Sequence, residues 1–347
     1  MLILARIFGG REGRVALCVW AAFIALLLMG GDASRMWAGP LEPVECDRVG
    51  ARQAARAEDA IRFAVIGDFG SGSSKERDVA EMVKAWNPDF IITAGDNRYG
   101  RTDYDQVIGQ FYCDFLKDAG SGPYCAGGSA QVNAFFPSLG NHDYSDGAGL
   151  NEYLTYFDLP GADFESRSDN ERYYDFVWGP VHFFALNSNS VEPDGATANS
   201  AQAQWLKQQL AASTATWQIV YFHHPPYSSG AVHGSYAPMR WPFADWGADA
   251  IIAGHEHTYE RLEVDGIPYF VNGLGGKSIY GMGPALPESK ARFNGDYGAM
   301  LVEADSTRLA FRFVTRGGET IDLYAIERAS PYPFYLPLLF RRLEGVE

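Results

Sequence analysis

Five short segments between Gly67 and His257 carry side chains of the kind that bind metal ions. Asp68 lies in a D-x-G run, Asp96 and Tyr99 in G-D-x-x-Y, Asn141, His142 and Asp143 in G-N-H-D, His223 in V-x-x-H, and His255 and His257 in G-H-x-H. Together they make the inventory of a two-metal hydrolase. A metal pair about 3.5–4 Å apart can activate a bridging hydroxide and neutralise the charge that builds on a phosphoryl group during in-line displacement. Such a site needs one carboxylate bridge and separate terminal ligands. Each piece alone is ordinary: Gly-Asp before a loop is a common turn, a lone G-H-x-H arises by chance, and Tyr99 is one of 19 tyrosines. Their joint occurrence in one order carries the argument.

In that order the segments resemble the signature of the calcineurin-like metallophosphoesterases. Tyr99, three residues after Asp96, makes them similar, more narrowly, to the purple acid phosphatases. The run Gly254-His255-Glu256-His257-Thr258-Tyr259-Glu260-Arg261 is similar to the G-H-x-H-x-Y-E-R run of plant-type members, while residues 205–210 and 273–276 resemble the shorter, tartrate-resistant mammalian type. The resemblance spans about residues 62–305. It implies an α/β fold, a four-layer α/β/β/α sandwich of two mixed sheets flanked by helices. It also implies that Asp96 bridges two metals, that Asp68, Tyr99 and His257 complete the first, and that Asn141, His223 and His255 complete the second. The implied pair is Fe(III) with Zn(II), Mn(II) or Fe(II), because a phenolate is a hard anionic ligand while a carboxamide and two imidazoles suit a divalent ion.

The implied activity is acid phosphatase-like hydrolysis of small-molecule phosphomonoesters by direct attack of a metal-bound hydroxide, with no covalent phosphoenzyme. A phosphodiesterase or a neutral phosphatase would use the same metals, with loops 100–130, 144–170 and 225–240 deciding between them. A binding protein that keeps the fold and has lost turnover is the other class of reading, and it is disfavoured because no ligand position is missing. His142 follows Asn141 directly, so it can face substrate while Asn141 faces metal. In the family this histidine contacts the phosphate or protonates the leaving group, and Asp143 is expected to hold its ring. His233, in a Ser/Gly loop ten residues after His223, lies near where relatives carry substrate-binding histidines. His224 is expected to point away as supporting packing, and His182 to be structural.

These residues need strands to position them. Residues 61–66, 90–93, 135–139 and 219–222 are short apolar runs that end at Gly-Asp, Gly-Asp, Gly-Asn and His respectively, which puts ligands just past strand C-termini, where open α/β sheets place their sites. Ser73 with Glu76 reads as a capping box for a helix carrying Val79, Met82, Val83 and Trp86, stopped by Asn87-Pro88. Residues 173–177 and 181–186 suggest a hairpin around Trp178-Gly179-Pro180, and Ala203, Leu206, Lys207 and Leu210 an amphipathic helix. From 261 to 326, alternating runs with Asp265-Gly266 and Gly317-Gly318 turns argue antiparallel strands.

With 347 residues, 47% apolar and 14% aromatic, the chain can fill a large core. A net charge of −15 without clustered Lys/Arg argues against a nucleic-acid partner, so affinity for phosphate must come from metal. Arg6, Arg11 and Arg14 precede an apolar run over 15–29, shorter than the roughly 18 residues of a membrane span and shaped like a secretory signal peptide with small residues near Ala33 or Ala38. The expectation is a secreted or periplasmic protein, with an uncleaved membrane anchor as the alternative. The expected domains are a signal or anchor over 1–33, a linker over 34–60, one catalytic domain over 61–328 without the fibronectin-like domain of the large plant enzymes, and an aromatic tail over 329–347. Cys18 lies in the apolar run. Cys113 and Cys125 flank a Gly/Ser/Pro loop and can pair in an oxidising compartment, a choice that spacing alone leaves open; Cys46 would then be free or intermolecular.

Overall fold

The computed structural model describes residues 60–166 and 168–329. The expected signal or anchor, the linker before residue 60, Cys18, Cys46 and the tail beyond 329 lie outside the described residues. Strand β1, Ile61–Ile66, is fully buried from Phe63 to Ile66, so its side chains show no inside-outside alternation, as expected of a strand covered on both faces. It pairs in parallel with β2, Phe90–Thr93, which pairs in parallel with β5, Phe135–Pro137. On its other side it meets β13, Gly298–Ala304, antiparallel, followed by the hairpin of β14, Arg308–Thr315, and β15, Thr320–Glu327. The six strands run in the order β15-β14-β13-β1-β2-β5.

A second, seven-stranded sheet is built from β6, Tyr174–Trp178; β7, Val181–Ala185; β8, Trp217–Tyr221; β9, Ala250–Ala253; β10, Tyr259–Val264; β11, Ile267–Asn272; and β12, Ser289–Phe293. Their order is β12-β10-β11-β9-β8-β7-β6, with parallel pairing at its centre and antiparallel pairs at both ends. Asp265 and Gly266, at φ 51° and 82°, make the two-residue turn between β10 and β11. The sheets face each other through aromatic rings: Phe183 meets Phe63 and Phe90 at 5.1 and 5.2 Å, and Phe136 stacks on Phe176 at 3.8 Å. Each fully buried ring contributes about 1.5–3 kcal/mol. Helix Ser74–Ala85 packs against β13, and Leu206 and Leu210 of helix Ala201–Ala212 pack with Val220 and Ile251 on the second sheet. The mixed two-sheet architecture is the expected one.

Two local expectations gain detail. Ser73 Oγ does accept the Glu76 N–H, at 3.4 Å, but the Glu76 carboxylate reaches past Ser73 to the N–H groups of Ser71 and Gly72, at 2.8 and 2.6 Å. It braces the loop after Asp68 in addition to its bond with the Ser73 backbone. Cys113 and Cys125 are joined in a disulfide, with their Cα atoms 5.5 Å apart. Among the described residues no helix is long and apolar enough to cross a membrane.

Candidate metal centre

Where the two sheets meet, five loops converge. Asp68 follows β1, Asp96 and Tyr99 follow β2, Asn141 follows β5, His223 follows β8, and His255 and His257 follow β9. Asp68, Asp96 and His255 adopt left-handed backbone at φ 55°, 52° and 69°. That conformation costs energy for residues other than glycine, and it clusters at functional sites where the surroundings enforce it. The glycines of the motifs allow the crowding. A Cβ on Gly140 would lie 2.1 Å from Asp96 Oδ1, and one on Gly95 would lie 2.6 Å from the His223 ring.

The side chains form two groups. In the first, the Tyr99 hydroxyl donates to Asp68 Oδ1 at 3.2 Å and lies 3.2 Å from His257 Nε2, which is 3.3 Å from the same oxygen. In the second, His223 Nε2 is 3.0 Å from both Asn141 Oδ1 and His255 Nδ1. Asp96 lies between them: its Oδ1 is 3.4 Å from His223 Nε2, and Tyr99 hydrogen-bonds its carboxylate. Ligand atoms of Asp68, Asp96 and His223, and of His223, His224 and His255, each lie within 4.8 Å of one another. The imidazoles are held from behind: His223 Nδ1 faces the Ala94 carbonyl at 2.8 Å, and His257 Nδ1 faces Ser278 Oγ at 2.6 Å. Such outer contacts fix ring orientation and leave the other nitrogen for a metal.

The electrostatics fit a cation. Burial pushes the Asp96 carboxyl well above its ordinary value, reinforced by Asp68 and Asp143. Burial, then Asp68 and Asp96, push the Tyr99 phenol up. His223 is held neutral by burial and by neighbouring imidazoles, and His255 is lowered to about 2 by burial and then by His224 and His233. Neutral imidazoles cannot pair with the carboxylates as ions, whereas a bound metal would satisfy both. The donor set therefore suits metal ions, harder on the Asp68–Tyr99 side and more nitrogenous on the His223–His255 side.

His142 reaches the mouth of the site with 37% of its side chain exposed, its ring 4.4 Å from that of Tyr99. The carboxylate holding it is not Asp143. Asp143 is fully buried and turned inward, accepting the N–H of Gly140 and the Tyr104 hydroxyl and capping helix Asn141–Ser145 from within; burial raises it to about 6. Asp146 takes that position instead, with Oδ2 2.7 Å from His142 Nδ1 and anchored by the Gly100 N–H at 2.6 Å. The i,i+4 spacing of His142 and Asp146 around one helical turn was the signal that could have identified the pair. His233 is brought to the site, its ring stacked on His255 at 4.1 Å. His224 is nearly buried, with Nδ1 on Ser188 Oγ at 2.8 Å, and His182 is a structural link between Asp175 and Ser213.

The sequence is 26% identical over 224 residues to Arabidopsis thaliana purple acid phosphatase 23, covering 58% of this chain and 47% of that protein. Human tartrate-resistant acid phosphatase type 5 is 24% identical over 249 residues, covering 63% of this chain and 74% of that protein. The structure of purple acid phosphatase PPD1 from yellow lupin seeds superposes with a TM-score of 0.61 at 19% identity, over 78% of this chain and 54% of that one, a likeness of fold. The family model for calcineurin-like phosphoesterases matches residues 61–259, which hold all five loops of the candidate centre, and the chain belongs to that family.

Proposed function

We propose that the chain is an exported, binuclear metal-dependent phosphatase that hydrolyses phosphomonoesters of small molecules, with an acid optimum. One observation carries the reading: two donor groups from five loops share a single buried carboxylate, Asp96. Asp68, Tyr99 and His257 would hold Fe(III), Asn141, His223 and His255 would hold Zn(II), Mn(II) or Fe(II), and Asp96 would touch both. When bound, the pair supplies Lewis acidity toward a phosphoryl oxygen and a water of lowered pKa. The chain's own residues do the rest. His233 binds the phosphate, and His142, held at Nδ1 by Asp146, gives a proton from Nε2 to the departing alcohol oxygen.

An acid optimum is supported by the likeness to acid phosphatases, and His255, lowered to about 2, would still keep its lone pair for metal under such conditions. Export is supported by the Cys113–Cys125 disulfide, a bond suited to oxidising compartments. The test is a pH profile of p-nitrophenyl phosphate turnover beside bis-p-nitrophenyl phosphate, with metal content determined. Faster monoester turnover below pH 7 with two metals bound is expected. Preference for the diester would move the reading to a phosphodiesterase, and no turnover with two metals would favour a narrow-specificity enzyme or a binding protein. Iron is tested by colour: the oxidised protein should absorb in the visible through Tyr99, and Tyr99→Phe should not.

A further inference from the structure

Between His255 and His257 stands Glu256, a charged residue with no exposed surface whose carboxylate is hydrogen-bonded by a different loop. It accepts three consecutive backbone N–H groups from another loop: Val232 at 2.9 Å on Oε1, and His233 and Gly234 at 2.7 and 3.0 Å on Oε2. Gly234, at φ 65°, turns the chain so that these donors point inward, an arrangement of successive amides that suits an anion. A Cβ on Gly230 would lie 2.0 Å from Glu256 Cγ, so the loop is wrapped closely around the side chain.

We propose that Glu256 is a positioning residue that fixes His233 over the metal centre, so that the phosphate-binding histidine and the ligands His255 and His257 are carried by one rigid unit. This rests on the role given to His233 under the proposed function. Residues 231–233 are exposed. Besides the Ala231 N–H bond to the Gly281 carbonyl at 3.0 Å, the anchor at the loop tip is the buried carboxylate. Its grip sets where the His233 ring stacks, on His255 at 4.1 Å and beside Tyr280 at 5.6 Å. Hydrogen bonds to a charged acceptor are shorter and stronger than neutral ones, which favours one loop position over many. Glutamine at 256 would keep the size but present an NH2 group to donors on one side.

The experiment is a double-mutant cycle on the full chain with Glu256→Gln, His233→Ala and both together, reading KM and kcat for p-nitrophenyl phosphate, the inhibition constant of inorganic phosphate, and bound metal. Expected for Glu256→Gln are two metals retained, KM and the phosphate inhibition constant raised about tenfold or more, and a smaller change in kcat. The double variant should be no worse than His233→Ala, because the second change acts through a ring already gone. Effects that multiply, or a Glu256→Gln protein like wild type, would overturn the proposal. If His233→Ala leaves phosphate inhibition unchanged, the inference fails with it, while undiminished turnover with two metals would leave the hydrolase reading standing. Should Glu256→Gln fail to fold, Gly230→Ala displaces the same carboxylate from the loop side and should give the same pattern.

Discussion

The six-stranded sheet delivers every oxygen donor of the candidate centre and the seven-stranded sheet every imidazole. Asp68, Asp96, Tyr99 and Asn141 follow β1, β2 and β5, whereas His223, His255 and His257 follow β8 and β9. In the oxygen half, burial and neighbouring carboxylates make Asp96 and Tyr99 costly to ionise; in the imidazole half, burial keeps protons off His223 and His255. Neither half is a metal site by itself. Each donor group draws from both sheets, so the centre exists only where the sandwich is closed, and a metal bound there would clasp one sheet to the other.

If Asp96 joins the halves, Asp96→Asn should have the largest effect. An amide cannot supply the shared anionic oxygen, and turnover should fall by more than about a thousandfold, the several kcal/mol that metal-assisted charge stabilisation supplies. Near-normal turnover with two metals in this variant would remove Asp96 from the centre. Metal removal tests the clasp itself. A metal at about 1,000 times its Kd stabilises the folded state by about 4 kcal/mol, on the order of 10 °C in a domain this large. Calorimetry before and after chelation should show that drop, and an unchanged melting temperature would mean that the sheets close without metal.

The halves were not equally legible in the sequence. Strand ends were, because apolar runs such as 61–66 and 90–93 stop at Gly-Asp, and burial on both faces writes itself as an unbroken hydrophobic stretch. The residues proposed as ligands sit just past those ends, and it was the resemblance to the family that named them. Partners across the sandwich were not. Tyr259 and Arg261 belong to the G-H-x-H-x-Y-E-R run, yet both bind Asp322 on β15, at 2.8 and 2.6 Å, tying one sheet to the other. Arg172 likewise engages Glu192, which takes a hydrogen bond from Asn187, and Asn189 donates on to the Leu139 carbonyl below the Asn141 loop. Such contacts depend on tertiary closure, and no local spacing encodes them. Asp143 was misread for a related reason: adjacency in sequence says nothing about which way a capping side chain turns.

The His142–Asp146 pair belongs to the oxygen half and predicts a smaller effect than loss of the bridge. Asp146→Asn should lower kcat about ten- to hundredfold, the worth of a hydrogen bond that positions a charged group. The loss should be larger for alkyl phosphates, which need a proton on departure, than for p-nitrophenyl phosphate, which does not. Equal losses on both substrates would make Asp146 a loop anchor through Gly100 rather than a partner of His142.

Acid should act on the two halves with opposite sign, which gives the gentlest test. In the unfolded chain an imidazole titrates near 6.5, whereas folded His255 is lowered to about 2 and His223 is lowered as well. Below 6.5 the unfolded state therefore binds protons that the folded state refuses, and stability present above that pH is lost as pH falls, by about 1.4 kcal/mol per unit for each imidazole that stays neutral. Asp96 is raised above its ordinary 3.8, so its contribution runs the other way and is lost as pH rises from there toward its folded value. Three lowered imidazoles, His223, His224 and His255, are opposed by the raised carboxyls of Asp96, Asp143 and Glu76, so the test is how far removing one carboxyl changes the shift in melting temperature of metal-free protein between pH 7.5 and pH 5. Metal-free Asp96→Asn, without one opposing carboxyl, should lose more stability toward pH 5 than the wild type does. A melting temperature that rises toward pH 5 would mean that the acids, not the histidines, govern the seam.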